Sequence, residues 1–389
     1  MAIDNKDKVL NVPNLRFPEF TEEWRKYKVS DVLDFYSTNS LSWEQLDYNN
    51  EDLYNLHYGL IHVGLPILVD IGQNKLPGIK TECKPKNFEL CKEGDVAFAD
   101  ASEDTNDVAK AIEFVNLNNQ KTVCGLHTIH GRDNKHLTVL GYKGYAFASP
   151  LFHNQIRRIA QGTKIYSISS KNFAECYIGI PSKDEQSKIA RILALIDSRI
   201  ATQNKIIEQL QSLIKGIVVS ITAETPNTRI DKCLVCHSTT LQENHIEDFG
   251  DFPVYGANGI YGYTVNADFN EPAILIVKDG SGVGNVRFVN GKFSVIGTQN
   301  ILTPQNKFLL KYIFYCLQAF NFVPYKTGMA IPHIYFKDYG KAKIYCPNFE
   351  QQVKIASQID LIESKIEIET QLLNKYEEQK KFLLSNMFI

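Results

Sequence analysis

Two stretches of this sequence superimpose at a constant offset, and no other feature constrains the fold as tightly. Pro181 matches Pro347, 166 residues further on, and the match runs without a gap from Gly162/Gly328 to beyond Ile200/Ile366. Along it stand Ile165/Ile331, Ile168/Ile334, Lys171/Lys337, Ile178/Ile344, Gln186/Gln352, Lys188/Lys354, Ile189/Ile355, Leu195/Leu361 and Ser198/Ser364. In a chain of 389 residues, a duplication of this kind means two copies of one unit, each long enough to bury its own core. Upstream the match loosens and acquires insertions. Lys28-Val29 and Leu33 align with Arg229-Ile230 and Leu234, and Ile112–Asn116 aligns with Val286–Asn290. Each copy therefore reads as a globular domain followed by a helix.

The helices are the most strongly specified elements. Ser182-Lys183-Asp184-Glu185 and Asn348-Phe349-Glu350-Gln351 each carry the capping-box pattern, a cap side chain with Glu or Gln three residues later. Asp184 and Glu350 also suit the positive end of the helix dipole. Apolar residues then fall at Ile189, Leu193, Ile196, Ile200, Ile207, Leu210, Ile214 and Ile217, the four-three spacing of a coiled-coil seam. The second helix matches with Ile355, Ile359, Ile362, Ile366, Leu373, Tyr376 and Leu383, interrupted by Lys380. Each seam skips one central position, Gln203 in the first and Glu369 in the second. Antiparallel packing would set these two opposite one another as a polar layer that fixes register. Side chains that merely reach solvent are the alternative.

The rest of each copy is mixed and β-rich. Ala273–Val277, Val286–Val289 and the run 292–296 are short, branched and aromatic, and Asn290-Gly291 between the last two is a hairpin-turn signal. A short helix is expected at 308–319, with 142–152 as its counterpart. The predicted fold class is α+β: two mixed β-rich domains, each followed by a long helix, with the helices forming an antiparallel coiled coil of pseudo-two-fold symmetry. The expected boundaries are an N-terminal arm over 1–20, a first domain over 21–181, a helical spacer over 182–218, a second domain over 219–347 and a second helical spacer over 348–389.

Several motifs invite a chemical reading. Cys233-Leu234-Val235-Cys236-His237 formally matches a haem-attachment pattern, but the first copy has Val32-Leu33-Asp34-Phe35-Tyr36 at the same place, so the thiols occupy ordinary strand positions. No second Cys/His pair stands at metal-ligand spacing beside them. Gly280-Ser281-Gly282-Val283-Gly284 resembles a phosphate-cradling loop without its Gly-Lys-Ser/Thr ending, and its counterpart from Ala101-Ser102 onward is longer and acidic. A tight inter-strand loop that differs between the copies is the better reading. Asp70 with Glu82 and Lys84 has the spacing of a nuclease metal site, a pattern that arises easily by chance and has no equivalent in the second copy.

The formal net charge is −2, and residues 226–346 carry 11 Lys/Arg against 9 Asp/Glu, so the chain has no basic stripe of the usual duplex binder. Local basic and polar clusters do flank the two repeated glycines. They are Arg157, Arg158, Lys164 and Tyr166 beside Gly162, and Tyr325, Lys326, His333 and Tyr335 beside Gly328. Phosphate contact or base readout fits their chemistry, as does a plain solvated face. The N-terminus lacks an apolar signal region, no uninterrupted apolar run approaches the length of a membrane span, and the eight cysteines follow no disulfide pattern, so a cytoplasmic protein is expected.

These features together resemble the specificity subunits of Type I restriction-modification systems. Pro13-Asn14-Leu15-Arg16-Phe17-Pro18-Glu19-Phe20 followed by Trp24 looks like the N-terminal signature of that family. Pro181 with Glu185-Gln186 and Lys188-Ile189-Ala190 looks like the start of its central helix, and Gln351 replaces the usual Glu in the second copy. The resemblance implies two target recognition domains reading the halves of a bipartite, asymmetric site on double-stranded DNA, with Ser281 and the clusters above as candidate contacts. The helices would act as a ruler of about 54 Å over 182–217. It also implies two methyltransferase subunits that use S-adenosylmethionine and two restriction subunits that use ATP and Mg2+, with no cofactor and no catalysis in this chain. The rival readings are a stand-alone metal-dependent endonuclease built on Asp70, Glu82 and Lys84, or a protein scaffold without a DNA role.

Overall fold

A computed structural model describes residues 11–242, 246, 249–305 and 307–389. They divide into two units, one of Met1–Thr202 with Leu372–Ile389 and one of Gln203–Gln371, so the division runs through the middle of both long helices.

The first unit is built on a five-stranded mixed sheet in the order Asp34–Tyr36, Thr128–Arg132, Val96–Ala99, Ala111–Asn116, Leu68–Asp70, the last pair parallel. A four-stranded sheet, Thr122–Cys124, Tyr54–Leu56, Gly78–Ile79, Leu46–Asp47, is formed by strands that alternate with these along the chain. Helices Tyr142–Ala148 and Pro150–Ile159 bring Phe147 and Phe152 against Phe98 and Phe173, a fully buried aromatic cluster with ring centroids 4.5–6.3 Å apart. Burying each such ring contributes roughly 1.5–3 kcal/mol.

The second unit repeats the plan with fewer strands. Leu234–His237, Gln299–Pro304, Ala273–Val277 and Val286–Val289 form one sheet, and Gly259–Thr264, Phe252–Gly256 and Ser294–Val295 form another. Helix Leu310–Gln318 covers the first sheet with Tyr312, Ile313 and Tyr315 fully buried.

Equal hydrogen bonds fix which residues correspond. Asp100 N donates to His127 O as Lys278 N does to Thr298 O, and Ile168 N donates to Asp100 O as Ile334 N does to Lys278 O. The strand registers then match Ala111 with Val286 and Phe114 with Val289. The sequence alignment of Ile112 with Val286 is therefore one residue out of step, a slip that in a strand exchanges the two faces. The Asn290-Gly291 turn is present, with Gly291 at φ +83°, but it is not a hairpin. Val286–Val289 pairs with Ala273–Val277, whereas Ser294–Val295 pairs in parallel with Phe252–Gly256.

The long helices span Lys183–Ala223 and Phe349–Asn386. The first runs past the end of the predicted seam and stops three residues before Pro226, which cannot continue it. In the first unit Ile189, Leu193 and Ile196 pack with Leu383, Met387 and Phe388. In the second, Val218 and Ile221 pack with Ala356 and Ile359. Lys380, the break in the seam, pairs with Asp197 at 2.5 Å. By length and composition the first helix could cross a membrane, with a mean hydropathy of 1.3 over its most apolar window. Apolar residues along it, including Leu193 and Ile221, belong to the two cores.

Only half of each predicted capping box forms. Ser182 Oγ accepts from Glu185 N at 3.4 Å and Asn348 Oδ1 from Gln351 N at 2.9 Å. The Glu185 carboxylate, 1% exposed, instead receives Arg16 Nε and Nη2 at 2.7 and 2.8 Å. A bidentate guanidinium is a stronger partner than a backbone amide. Gln351 lies exposed at the matching position, so the Glu-to-Gln difference between the copies follows from the arm's Arg16. Around Arg16, Leu15 N donates to Asn386 O, and Lys188 stands over the rings of Phe17 and Phe20 while pairing with Glu19.

Candidate nucleic-acid interface

Three equivalent side chains tie each domain to its helix or to the segment that leads into it. Gln186, fully buried, accepts from Val139 N at 2.8 Å and donates to Pro181 O at 2.9 Å. Gln352 accepts from Leu309 N at 3.0 Å and donates to Pro347 O at 2.8 Å. Tyr142 Oη donates to Gly179 O and Tyr312 Oη to Tyr345 O. Tyr145 Oη donates to Asp197 and Tyr315 Oη to Glu363, with Asp360 beside it. Burial, with the neighbouring carboxylates, pushes the Tyr145 and Tyr315 phenols up, so both stay protonated donors at neutral pH. A domain bonded to its helix at two points, through the buried glutamine and the half-buried tyrosine–carboxylate pair, keeps a fixed orientation on it, as positioned recognition requires.

Beside each clamp a glycine-shaped hairpin projects. Gln161 bridges Ser167 in the first unit and Thr327 bridges His333 in the second. Gly162 (φ +135°) and Gly328 (φ +87°) leave no room for a side chain, since a Cβ would stand 1.9 Å from Ile165 O or 2.3 Å from Ile331 O. The tips are exposed: Ile165 at 62%, Ile331 at 58% and Met329 fully.

In the second unit this hairpin meets the Gly280–Gly284 loop, which joins strands Ala273–Val277 and Val286–Val289 as a tight turn with Gly280 and Gly284 at φ +95° and +93°. His333 Nδ1 contacts Asp279 Oδ1 at 2.6 Å, and Gly280 N donates to Pro332 O. Ser281, Lys326 and Tyr335 are exposed nearby in the chain, and Tyr325 stacks on Phe320. Lys337, matched with Lys171 in the repeat, stands 5.3 Å over the Tyr335 ring and adds a cation to this cluster.

In the first unit Tyr166–Ser167 pairs with Ala101–Ser102, so the hairpin meets the corresponding loop over 100–107. That loop carries Asp100, Glu103, Asp104 and Asp107 where the second copy has only Lys278 and Asp279. Arg157 is exposed and bonded to Asn106 and Asn154, while Arg158 and Lys164 are exposed. The two copies thus offer one scaffold with an acidic loop in the first and a loop of no net charge in the second.

The remaining sequence candidates resolve into structural roles. Asp70 receives Gly72 N, Gln73 and Asn116, Lys84 pairs with Asp52 at 3.5 Å, and no hydrogen bond or ion pair joins Asp70, Glu82 and Lys84 among the described residues. The nuclease triad is not assembled. Cys233 is buried with its thiol 3.8 Å from that of Cys346, and His237 is bonded to Thr303. Gln203 and Glu369 are both buried, and Gln203 Nε2 donates to Glu369 O at 3.1 Å and to its carboxylate. Lys365, then Gln203, hold that carboxyl below its ordinary range.

A family profile described as "Type I restriction modification DNA specificity domain" matches residues 21–212 and 235–378, one stretch in each copy. The chain belongs to that family. It is 27% identical over 109 residues to the EcoprrI specificity subunit of Escherichia coli, a stretch covering 28% of this chain and 27% of that protein. It is 30% identical over 135 residues to the putative type I specificity subunit S.MpnORF285P of Mycoplasma pneumoniae, covering 32% of this chain and 44% of that one. The match thus spans less than half of either relative. Among solved structures, the Type I restriction-modification S subunit from M. genitalium superimposes with a TM-score of 0.61 at 18% identity, covering 97% of this chain and 99% of that one. A structure concerning complex assembly and conformational transition of the type I R-M system gives 0.53 at 14% identity, covering 93% and 96%. At such identities the likeness is one of fold, and it is the fold of Type I specificity subunits.

Proposed function

We propose that this chain is the non-catalytic recognition subunit of a Type I restriction-modification complex, reading the halves of a split, asymmetric site on double-stranded DNA with its two domains. The carrying observation is the pair of equivalent hairpin-and-loop faces, each fastened to its helix by the same clamps yet differing in charge. Arg157, Arg158, Lys164 and Tyr166 in one copy, and Ser281, Tyr325, Lys326, His333 and Tyr335 in the other, are the proposed DNA contacts. The first long helix has 41 residues, about 61 Å at 1.5 Å each. That corresponds to roughly 1.7 turns of B-DNA and suits a ruler.

The proposed partners are two methyltransferase subunits, which would supply S-adenosylmethionine chemistry, and two restriction subunits working with ATP and Mg2+. Leu195 and Leu361, equivalent in the repeat, are 56% and 72% exposed on the helices, as docking of two identical partners would require. Partners also answer the net charge of −2, since other subunits can supply phosphate contacts. DNA in the cytoplasm is the proposed setting. Methylome sequencing of cells carrying the chain with its methyltransferase tests the reading: a split, asymmetric adenine-methylated motif supports it, and an unsplit motif rules it out.

A further inference from the structure

One buried cluster in the first domain has no counterpart in the second. The thiols of Cys91 and Cys124 lie 3.6 Å apart, and with a ring nitrogen of His130 they fall within 4.8 Å of one another. All three residues are buried. His130 Nε2 is engaged by Asp95 Oδ2 at 2.7 Å, while Nδ1 is buried with no hydrogen-bond partner. Asp95 is locked in turn by Arg132 Nε and Nη2 at 2.8 Å each and by Lys92 N.

The second copy shows what the fold itself needs here. The shared hydrogen bonds and registers place Cys91, Asp95, Cys124 and His130 where the second unit has Phe269, Ala273, Val295 and Ile301. Those four belong to an uninterrupted apolar core. Apolar residues therefore satisfy this architecture, and burying a carboxylate and an imidazole costs free energy that packing alone does not recover.

We propose that Cys91, Cys124 and His130 bind a soft divalent cation, zinc, through two thiolates and His130 Nδ1. The chemistry of the donor set selects it. Two cysteine sulfurs on a tetrahedral zinc at about 2.3 Å stand roughly 3.7 Å apart, close to the spacing already present. An imidazole that gives one nitrogen to a carboxylate and turns the other to the ligand site is the usual outer-shell arrangement of a zinc histidine. Asp95, oriented by Arg132, fills that role. A cavity of about 330 Å3 lined by Asn39, Cys83, Glu89 and Cys124 opens beside one of the two thiols. The ion would tie strand Thr122–Cys124 of one sheet to strand Thr128–Arg132 of the other, and to the segment entering Val96–Ala99. Binding releases the two thiol protons to solvent and changes no oxidation state.

The test uses the full chain, purified under reducing conditions and dialysed against excess zinc, then against metal-free buffer. Elemental analysis should find one zinc per chain, and Co2+ in its place should give the near-ultraviolet charge-transfer band of cobalt–thiolate bonds. Cys124→Val copies the residue of the second domain, so it should retain the far-UV circular dichroism and lose both metal and band. Wild-type chain without stoichiometric zinc or a cobalt–thiolate band overturns the proposal, as does a Cys91–Cys124 disulfide found by mass spectrometry in reduced, metal-supplied protein. A Cys124→Val chain that keeps its full metal content overturns it equally.

Discussion

Replacing Gln186 by Leu removes the clamp that joins the first domain to its helix. Its two bonds satisfy the Val139 amide and the Pro181 carbonyl, and a third, at 3.2 Å, reaches Leu137 O. Leaving a buried polar group unpaired costs about 1–3 kcal/mol, and leucine returns part of this as apolar contact, so a net loss of about 2–4 kcal/mol is expected. With a urea m-value near 3 kcal/mol/M for a domain of this size, the midpoint falls by about 1 M. The assay is specific because both tryptophans, Trp24 and Trp43, lie in the first unit. Their fluorescence should report the early transition in Gln186→Leu, whereas Gln352→Leu should leave it in place and lower only the part of the far-UV signal that belongs to the second unit. A midpoint moved by less than about 0.3 M in Gln186→Leu, or moved equally by Gln352→Leu, refutes independent clamps.

Two further outcomes follow from the helices and from a buried histidine. Replacing both Gln203 and Glu369 by Leu should preserve helix content but loosen register, seen as multiple disulfide cross-links between cysteines introduced at neighbouring seam positions. An unchanged single pattern removes the register role. Burial, then Arg157, holds the His153 imidazole below its ordinary value. The unfolded chain therefore binds the extra proton first, and the contribution to stability is full above about pH 6.5 and lost as pH falls through the window below it. His153→Gln should flatten that dependence in urea titrations between neutral and mildly acid pH, and an unaltered slope refutes the assignment.

The repeat and the seams made the helices legible in the sequence, because a heptad pattern and a proline-led start are local signals. Register between strands was not. Sequence identity favours the wrong register, since Phe114, Val115 and Asn116 match Phe288, Val289 and Asn290, and only the hydrogen-bonded ladder sets the strands one residue from it. Asn290-Gly291 makes a turn without a hairpin, since local chemistry sets a bend but not which sheet the next strand joins. The local pattern around Glu185 points to its own helix start, whereas its partner Arg16 lies 169 residues away. The Cys91, Cys124 and His130 cluster has no local signal for the same reason: its members sit on separate segments with no ligand spacing between them, while the sequential Cys233-Cys236-His237 pattern gathers no ligand cluster among the described residues.

The most direct test of the central claim is an exchange of residues 226–346 for the corresponding segment of another Type I specificity subunit, followed by methylome sequencing with the same methyltransferase partner. Two independently clamped domains predict that one half of the split motif changes while the other half stays as it was. A change in both halves, or in neither, contradicts the account.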